Sequence, residues 1–362
     1  MKILMIIPSL GSGGAERVIS GLANDWIVKK KCTLEIVVLM DSEDFYHIND
    51  NIRIHRLNYN AGGSLKLFNF FILLIKLKKL IESVKPDLCL SFVRQSNLLT
   101  LLATRNLNCK VVISERDSPQ AFVSKFYNFL RKKLYPYCDG MIVQTQDYKK
   151  FVLDEIGNIN QIVIPNPVRN ISTINANKEN IIICVGRLIP VKGHKYLIEA
   201  FANCQNIHDW KLVFLGDGIL KNELLQQVKN LNLENNVKFV GATKNVDEWL
   251  SRSSIFAFTS ISEGFPNALA EGMSASLPCV SFNCVTGPKD LIKHAHSGYL
   301  IEVGDIRNFS LTLDMLMENT ELRNYIGFNA KEVANSLNFE NISDQYFDFL
   351  DKTYSLKNNK NM

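Results

Sequence analysis

At 362 residues the chain is longer than one hydrophobic core usually supports, which points to two domains with a ligand cleft between them. Apolar residues at 46% and charged residues at 21% match ordinary globular usage and exclude a disordered chain. Residues 1–168 hold 22 Lys and Arg against 15 Asp and Glu, while the remainder holds 19 against 21. A basic first half fits an anionic partner such as a membrane surface or a phosphorylated acceptor, and fits equally well solvated lysines on helix faces. Nucleic acid is disfavoured, because the excess is spread over 168 residues rather than gathered on one face.

The chain opens on an apolar run over residues 3–7 that stops at Pro8, too short for a signal peptide and suited to a buried first strand. The turn that follows, Pro8-Ser9-Leu10-Gly11-Ser12-Gly13-Gly14-Ala15-Glu16, leads into a helix. Its glycines let backbone amides approach a ligand, and the helix N-terminus adds partial positive charge, so a phosphate or a polar sugar fits there; a merely tight turn is the plainer reading. Glu16 stands where a dinucleotide fingerprint needs its third glycine, which counts against a nicotinamide enzyme even though Asp41 could hold a ribose. Further strands are expected at 34–40, 52–57, 88–92, 111–114 and 141–143, alternating with helical patterns as in parallel βαβ units.

Residues 65–80 are apolar but broken by Lys66, Asn69, Lys76, Lys78 and Lys79, and fall short of a membrane span. These cations, with Arg131, Lys132 and Lys133, lie beside Phe68, Phe70, Phe71, Phe126, Tyr127 and Phe129. Most of these aromatics read as helix core rather than as membrane anchors. Ile164-Pro165-Asn166-Pro167-Val168-Arg169-Asn170 and the polar stretch 172–180 read as the interdomain linker. A second series of strands then follows at 181–185, 211–215, 237–240, 255–258 and 279–282. The expected division is 1–168, 172–339 and a C-terminal helix over 340–362 that returns to the first domain, with a frayed end from Lys357. The eight cysteines, at 32, 89, 109, 138, 184, 204, 279 and 284, have no paired C-x-x-C spacing and read as reduced core residues of a cytosolic protein.

Three elements carry candidate chemistry. Arg187 and Lys192 lie on the turn after the strand at 181–185, where two cations can grip phosphate. Ser262-Glu263-Gly264-Phe265-Pro266-Asn267-Ala268-Leu269-Ala270-Glu271 follows the strand at 255–258 and enters a helix near Pro266 or Asn267. Glu263 falls before that helix and Glu271 about one turn into it, so the two carboxylates can hold hydroxyls on either side of a phosphate pair.

The Glu263-x7-Glu271 spacing, with Gly186-Arg187-Leu188, Lys192-Gly193 and Gly13-Gly14-Ala15-Glu16, resembles the family-four retaining glycosyltransferases of the glycosyltransferase-B type. Leu215-Gly-Asp-Gly218, Phe239-Val-Gly241, Pro165-Asn-Pro167 and Thr286-Gly-Pro-Lys-Asp290 extend the likeness over nearly the whole chain. The resemblance implies an α/β fold of two doubly wound, Rossmann-like domains facing each other across a cleft. It implies a metal-independent, retaining transfer of a hexose or N-acetylhexosamine, of galactose or N-acetylgalactosamine type, from a UDP-sugar. Arg187 and Lys192 would hold the diphosphate, Glu263 the sugar hydroxyls, Glu271 the ribose, and the backbone of Gly264, Phe265, Asn267, Ala268 and Leu269 the phosphates. Gly13 and Gly14 would line the donor from the first domain, and no cofactor or metal is implied.

Many family members carry a histidine in the segment that here reads Ser114-Glu115-Arg116-Asp117, and none of the six histidines falls there. Similar Ser-Glu-Arg stretches occur in members that act on bacterial lipid-linked oligosaccharides or exopolysaccharide. Glu115 is accordingly a candidate catalytic contact to sugar or acceptor, with a pair to Arg94 or Arg116 as the structural alternative. An internal-return mechanism needs no protein nucleophile, consistent with the lack of a Ser/His/Asp or Cys/His arrangement. The acceptor is expected to be a polyprenyl-diphosphate-linked glycan met by the basic first domain, peripherally, at an anionic inner membrane face. A nucleotide-sugar epimerase of the same fold is the alternative function.

Overall fold

A computed structural model of the chain describes residues 1–59, 66–119, 124–171 and 177–356; of the polar stretch after the linker only 177–180 is included, and the Lys357–Met362 end lies outside it. The chain divides into two compact units, Met1–Pro165 together with the chain from Ile342 onward, and Asn166–Asn341.

The first unit runs β1 (Lys2–Ile7), α1 (Gly14–Val28), β2 (Thr33–Met40), β3 (Arg53–Tyr59), α2 (Lys66–Val84), β4 (Leu88–Phe92), α3 (Arg94–Ala103), β5 (Lys110–Ser114), α4 (Lys125–Leu134), β6 (Gly140–Val143), α5 (Gln146–Glu155) and β7 (Gln161–Val163). The second runs β8 (Ile181–Val185), α6 (His194–Ala202), β9 (Lys211–Leu215), α7 (Lys221–Asn230), β10 (Val237–Gly241), α8 (Val246–Arg252), β11 (Ile255–Phe258), α9 (Asn267–Ser274), β12 (Cys279–Phe282), α10 (Pro288–Leu291), β13 (Tyr299–Ile301), α11 (Ile306–Glu318) and α12 (Thr320–Ser336). A last helix, α13 (Phe339–Ser355), closes the described chain.

Both sheets are parallel, with strand orders β3-β2-β1-β4-β5-β6-β7 and β10-β9-β8-β11-β12-β13. Each order reverses direction once, between β1 and β4 in the first sheet and between β8 and β11 in the second. At such a switch point the loops leaving the two central strands turn to opposite faces, and a crevice opens beyond the strands' carboxyl ends. Helices cover both faces, so the central strands bury both sides and read as unbroken apolar runs. Ile3 through Ile7 are fully buried, and Ile181 through Cys184 nearly so. Along β8 and β9 the side chains alternate between two cores: Ile182, Leu212 and Phe214 pack with Leu197, Phe201 and Phe309. Ile183, Val213 and Leu215 pack with Phe256, Leu269 and Met273 on the other face.

α13 completes the first unit. Trp26 Nε1 donates to Ser343 Oγ at 3.0 Å, and Ser343 Oγ donates to Asp25 at 2.6 Å. Tyr346 is fully buried, stacks on Phe92, and receives the guanidinium of Arg116 at 2.5 Å. Six of the eight cysteines are buried, and Cys32 and Cys109 are half-buried.

The structure corrects one part of the expected basic surface. Arg131 is 3% exposed, lies against the Phe151 ring and belongs to the core, while Lys76, Lys79, Lys132 and Lys133 are exposed. It also places Phe71, Phe126 and Phe129 in solvent at 59%, 69% and 56% exposure, where helix core was expected. Phe70 and Tyr127 do pack on the core, and the Phe68 side chain lies outside the described part. No helix among the described residues is long and apolar enough to cross a membrane.

Tyr346→Ala removes a large buried ring and one hydrogen-bond partner of Arg116, and is expected to cost about 3–5 kcal/mol in the unfolding of the first unit. Tyr346→Phe keeps the ring and should cost only about 1–3 kcal/mol. Urea unfolding of both variants checks the order; equal losses would mean that the hydrogen bond, rather than the packing, fastens α13.

Candidate functional site

The loops at the switch point of the second sheet carry most of the candidate residues. After β8 the chain runs through Gly186 and Arg187 into a short 3-10 turn, Pro190–Lys192, and reaches α6 through Gly193. Gly193 has φ +64°, and a Cβ there would sit 2.1 Å from the Thr259 carbonyl oxygen, so only glycine lets this turn pass so close to the end of β11. Ile261 N donates to Val191 O at 2.9 Å and Thr259 Oγ1 to Lys192 O at 3.2 Å, which sews the two loops together. Gly216, at φ +143°, lets the β9 turn press on the other side, where Leu188 N donates to Asp217 O at 2.9 Å.

This bracing sets Lys192 Nζ 2.5 Å from Glu263 Oε1, with both side chains mostly shielded from solvent. The ammonium also lies over the Phe258 ring. Arg187 is exposed; its carbonyl accepts from Ile189 N at 2.9 Å, while its guanidinium makes no hydrogen bond or ion pair among the described residues. Thr286 Oγ1 donates to the carbonyl of Glu263, and Gly287 packs against Pro266, so the loop after β12 fixes Glu263 from a third side. His194, behind Lys192, is buried on Phe214; burial, with the neighbouring ammonium, pushes its pKa down to about 4 and keeps it neutral.

α9 begins at Asn267, and its first-turn amides have no intrahelical partner. Phe265 and Leu269 are core residues, so they can offer a ligand only their backbone, whereas Gly264, Asn267 and Ala268 are half-buried. Asn267 turns its side chain to the linker, where its Oδ1 accepts from Asn166 Nδ2 at 2.9 Å. Glu271 meets Arg169 Nε at 3.4 Å. Arg169, Thr286 and Asn166 were not singled out from sequence as site residues. Arg169 read only as linker, and Asn166 and Thr286 entered only within stretches that extend the family likeness, with no role of their own.

In the first unit Gly13 caps α1, and the carboxylate of Glu16 folds back over it into the space a Gly13 side chain would take. Ser9 Oγ donates to Glu16 Oε1 at 3.0 Å. The chain's own carboxylate thus already occupies the positive end of this helix, and a neutral sugar group suits the turn better than a phosphate. Gly13 and Gly14 are exposed beside it.

Glu115 lies at the end of β5 and is fully buried. Its Oε1 accepts from Tyr135 Oη and from Asn97 Nδ2 at 3.0 Å, its Oε2 from Tyr148 Oη at 3.0 Å, and Arg94 Nε stands 4.0 Å away. Burial, then the Glu115 charge, push both tyrosine hydroxyls well above their ordinary range. Burial works against the charge of Arg94, but Glu115 and Asp117 hold its pKa above normal. The pair with Arg94 that was the structural alternative is thus present, and both Glu115 oxygens accept from buried donors. Val93, just before Arg94, takes φ +73°, a strained position for a β-branched residue, at the first sheet's switch point.

Residues 12–169 match the family described as Glycosyltransferase Family 4, and residues 169–333 match Glycosyl transferases group 1. Over 340 residues the chain is 31% identical to the Campylobacter jejuni N-acetylgalactosamine-N,N'-diacetylbacillosaminyl-diphospho-undecaprenol 4-alpha-N-acetylgalactosaminyltransferase, covering 89% of this chain and 92% of that one. The chain belongs to this glycosyltransferase family. A second C. jejuni enzyme, the GalNAc-alpha-(1->4)-GalNAc-alpha-(1->3)-diNAcBac-PP-undecaprenol alpha-1,4-N-acetyl-D-galactosaminyltransferase, is 27% identical over 96% of this glycosyltransferase and 97% of its own length. Among solved structures, Anabaena HepE in complex with UDP superposes with a TM-score of 0.82 at 21% identity, over 97% of this chain and 100% of that one. The fold is thus of the glycosyltransferase-B type, two parallel-sheet α/β domains. An epimerase finds no support among these relatives.

For this glycosyltransferase, Glu115→Ala should leave two tyrosine hydroxyls and a buried arginine without their shared acceptor. A loss of about 3–5 kcal/mol is expected. Thermal melting beside transfer assays checks it: unchanged melting with abolished transfer would return Glu115 to direct chemistry.

Proposed function

We propose that this glycosyltransferase moves a hexose or N-acetylhexosamine, of galactose or N-acetylgalactosamine type, from a UDP-sugar to a polyprenyl-diphosphate-linked glycan, retaining the anomeric configuration. The observation that carries the donor side is the Lys192–Glu263 pair at the switch point, beside exposed Arg187 and the N-terminus of α9. Cations, a helix N-terminus and a carboxylate within one crevice match the three parts of a sugar diphosphate. Lys192 and Arg187 take the phosphates, Glu263 the sugar hydroxyls, Glu271 the ribose, and the backbone from Gly264 to Leu269 the remaining phosphate oxygens. The UDP bound by HepE and the undecaprenol-linked substrates of the Campylobacter relatives support the choice of donor and acceptor.

The chemistry asked of these residues is charge stabilisation. As the bond from the anomeric carbon to the β-phosphate oxygen breaks, negative charge grows on UDP, and Lys192 and Arg187 oppose it without a divalent cation. The acceptor hydroxyl attacks from the same face and gives its proton to the departing phosphate. In the ligand-free protein Lys192 and Glu263 neutralise each other. A donor substitutes phosphate for Glu263 at Lys192, and hydroxyls for Lys192 at Glu263, so neither charge is left bare.

Lys192→Ala and Glu263→Ala are each expected to lower the transfer rate about 100-fold, a loss of ~3 kcal/mol of charge stabilisation, with the fold retained. A chelator should leave the wild-type rate unchanged, and a metal-reversible loss would overturn metal independence.

The acceptor side rests on the first unit. α2 exposes Phe71, Ile72 and Ile75 next to Lys76 and Lys79, and α4 exposes Phe126 and Phe129 next to Lys132 and Lys133. Apolar side chains between cations suit a peripheral hold on an anionic leaflet at the cytoplasmic face, each lysine contributing about 1 kcal/mol. Vesicle sedimentation should show binding to anionic lipid that weakens with salt and with Lys76→Gln, Lys78→Gln and Lys79→Gln combined, donor hydrolysis being unchanged. Equal binding to neutral and anionic vesicles would point to a soluble acceptor.

A further inference from the structure

Arg169 has an arrangement that its place in the linker did not foretell. Its guanidinium grips Asp247 of α8 with two nitrogens, Nη2 at 3.0 Å from Oδ1 and Nη1 at 3.3 Å from Oδ2. The third nitrogen, Nε, points to Glu271 Oε1 of α9 at 3.4 Å. The backbone is held as firmly as the fork. Ser274 Oγ donates to Arg169 O at 2.6 Å and accepts from Ile171 N at 3.1 Å, and Val168 N donates to Leu337 O at 2.8 Å. The main chain around Arg169 is thus fastened to the helix that carries Glu271, and its planar side chain spans from that helix to α8. Burial opposes the charge, but Glu271 and Asp247 together hold the Arg169 pKa above its ordinary value.

A glutamate on a helix face otherwise has three side-chain torsions to order before it can accept two hydrogen bonds from a vicinal diol. Fixing one of its oxygens with a donor that is itself anchored removes that cost from ligand binding. A carboxylate offers about four acceptor sites. The Nε bond engages Oε1, one of the two oxygens that share those sites.

We infer that Arg169 is a positioning residue that presets Glu271 for the ribose of the donor nucleotide and so sets the preference for ribose over 2′,3′-dideoxyribose. The inference rests on the reading of Glu271 as the ribose carboxylate. It assigns Arg169 no contact with the reacting atoms.

Isothermal titration with UDP and with 2′,3′-dideoxy-UDP tests it, the ratio of the two dissociation constants being the readout. The wild type should prefer UDP. Arg169→Ala should weaken UDP about tenfold and dideoxy-UDP hardly at all, collapsing the ratio, because only the diol uses the preset carboxylate. Arg169→Lys, which cannot hold Asp247 and Glu271 together, should fall between them. Asp247→Asn loosens the fork without touching the Nε contact, and should lower the ratio in a protein whose melting is near wild type. In steady state the loss should appear in donor KM with kcat nearly unchanged. A full wild-type ratio in Arg169→Ala, alongside a collapsed ratio in Glu271→Gln, overturns the inference and leaves the ribose reading standing. A wild-type ratio in Glu271→Gln overturns both, since Arg169 would then have nothing to position. An equal loss of affinity for both nucleotides in every variant would make Arg169 a purely structural clamp.

Discussion

The ion pair between Lys192 and Glu263 exists because a parallel sheet reverses its winding between β8 and β11. Neither residue is near the other in sequence, and neither loop is long enough to reach across a sheet. They meet because the two strands are neighbours whose following helices lie on opposite faces, which leaves their carboxyl-end loops side by side. The rest of the local structure serves that approach. Glycine at 193 removes the one atom that would collide with Thr259, glycine at 216 brings the β9 turn under the same loop, and Thr286 holds Glu263 by its carbonyl rather than by its carboxylate. Both residues are fixed through their backbone carbonyls, and the charged ends remain available to exchange partners.

The two carboxylates assigned to sugar chemistry from sequence alone fare differently for a physical reason. Glu263 sits on a loop after a strand, with its charge matched by one lysine. Glu115 sits at a strand end too, but two tyrosines and an asparagine converge on it from α5, α3 and the turn after α4. A carboxylate that satisfies three buried donors cannot leave them without stranding polar groups in the core. Through Asn97 and Arg94 it also ties the end of β5 to the first turn of α3, next to the strained Val93. Motif position gave both residues the same weight, and only the neighbours separate them.

Most of the fold was legible. Five strands, β4, β8, β9, β11 and β12, begin and end where the apolar runs do, because strands buried on both faces leave no ambiguity about their limits. The strands that sequence reasoning missed, β7 and β13, are three residues long and form the outer edges of their sheets, where too few side chains are buried to leave a pattern. Of the site, the residues on the switch-point loops were legible because glycine, charge and strand ends coincide there. Arg169 was not. It lies between prolines and a polar run that signal a linker, and its partners are 78 and 102 residues away.

Charge in the first unit shows the same limit of reading composition without faces. Arg131 counts as one of a basic triplet with Lys132 and Lys133, yet one residue's rotation about α4 takes it from solvent into contact with Phe151. The same rotation puts Phe126 and Phe129 outside. A helix of this kind is inverted at single positions: the cation that packs inward supports the aromatic core, and the aromatics that face outward sit among lysines. Burying a guanidinium costs free energy that an apolar residue at 131 would not, and the face of the Phe151 ring against it offsets part of that cost, so charge counted along the sequence overstates the charge this helix presents.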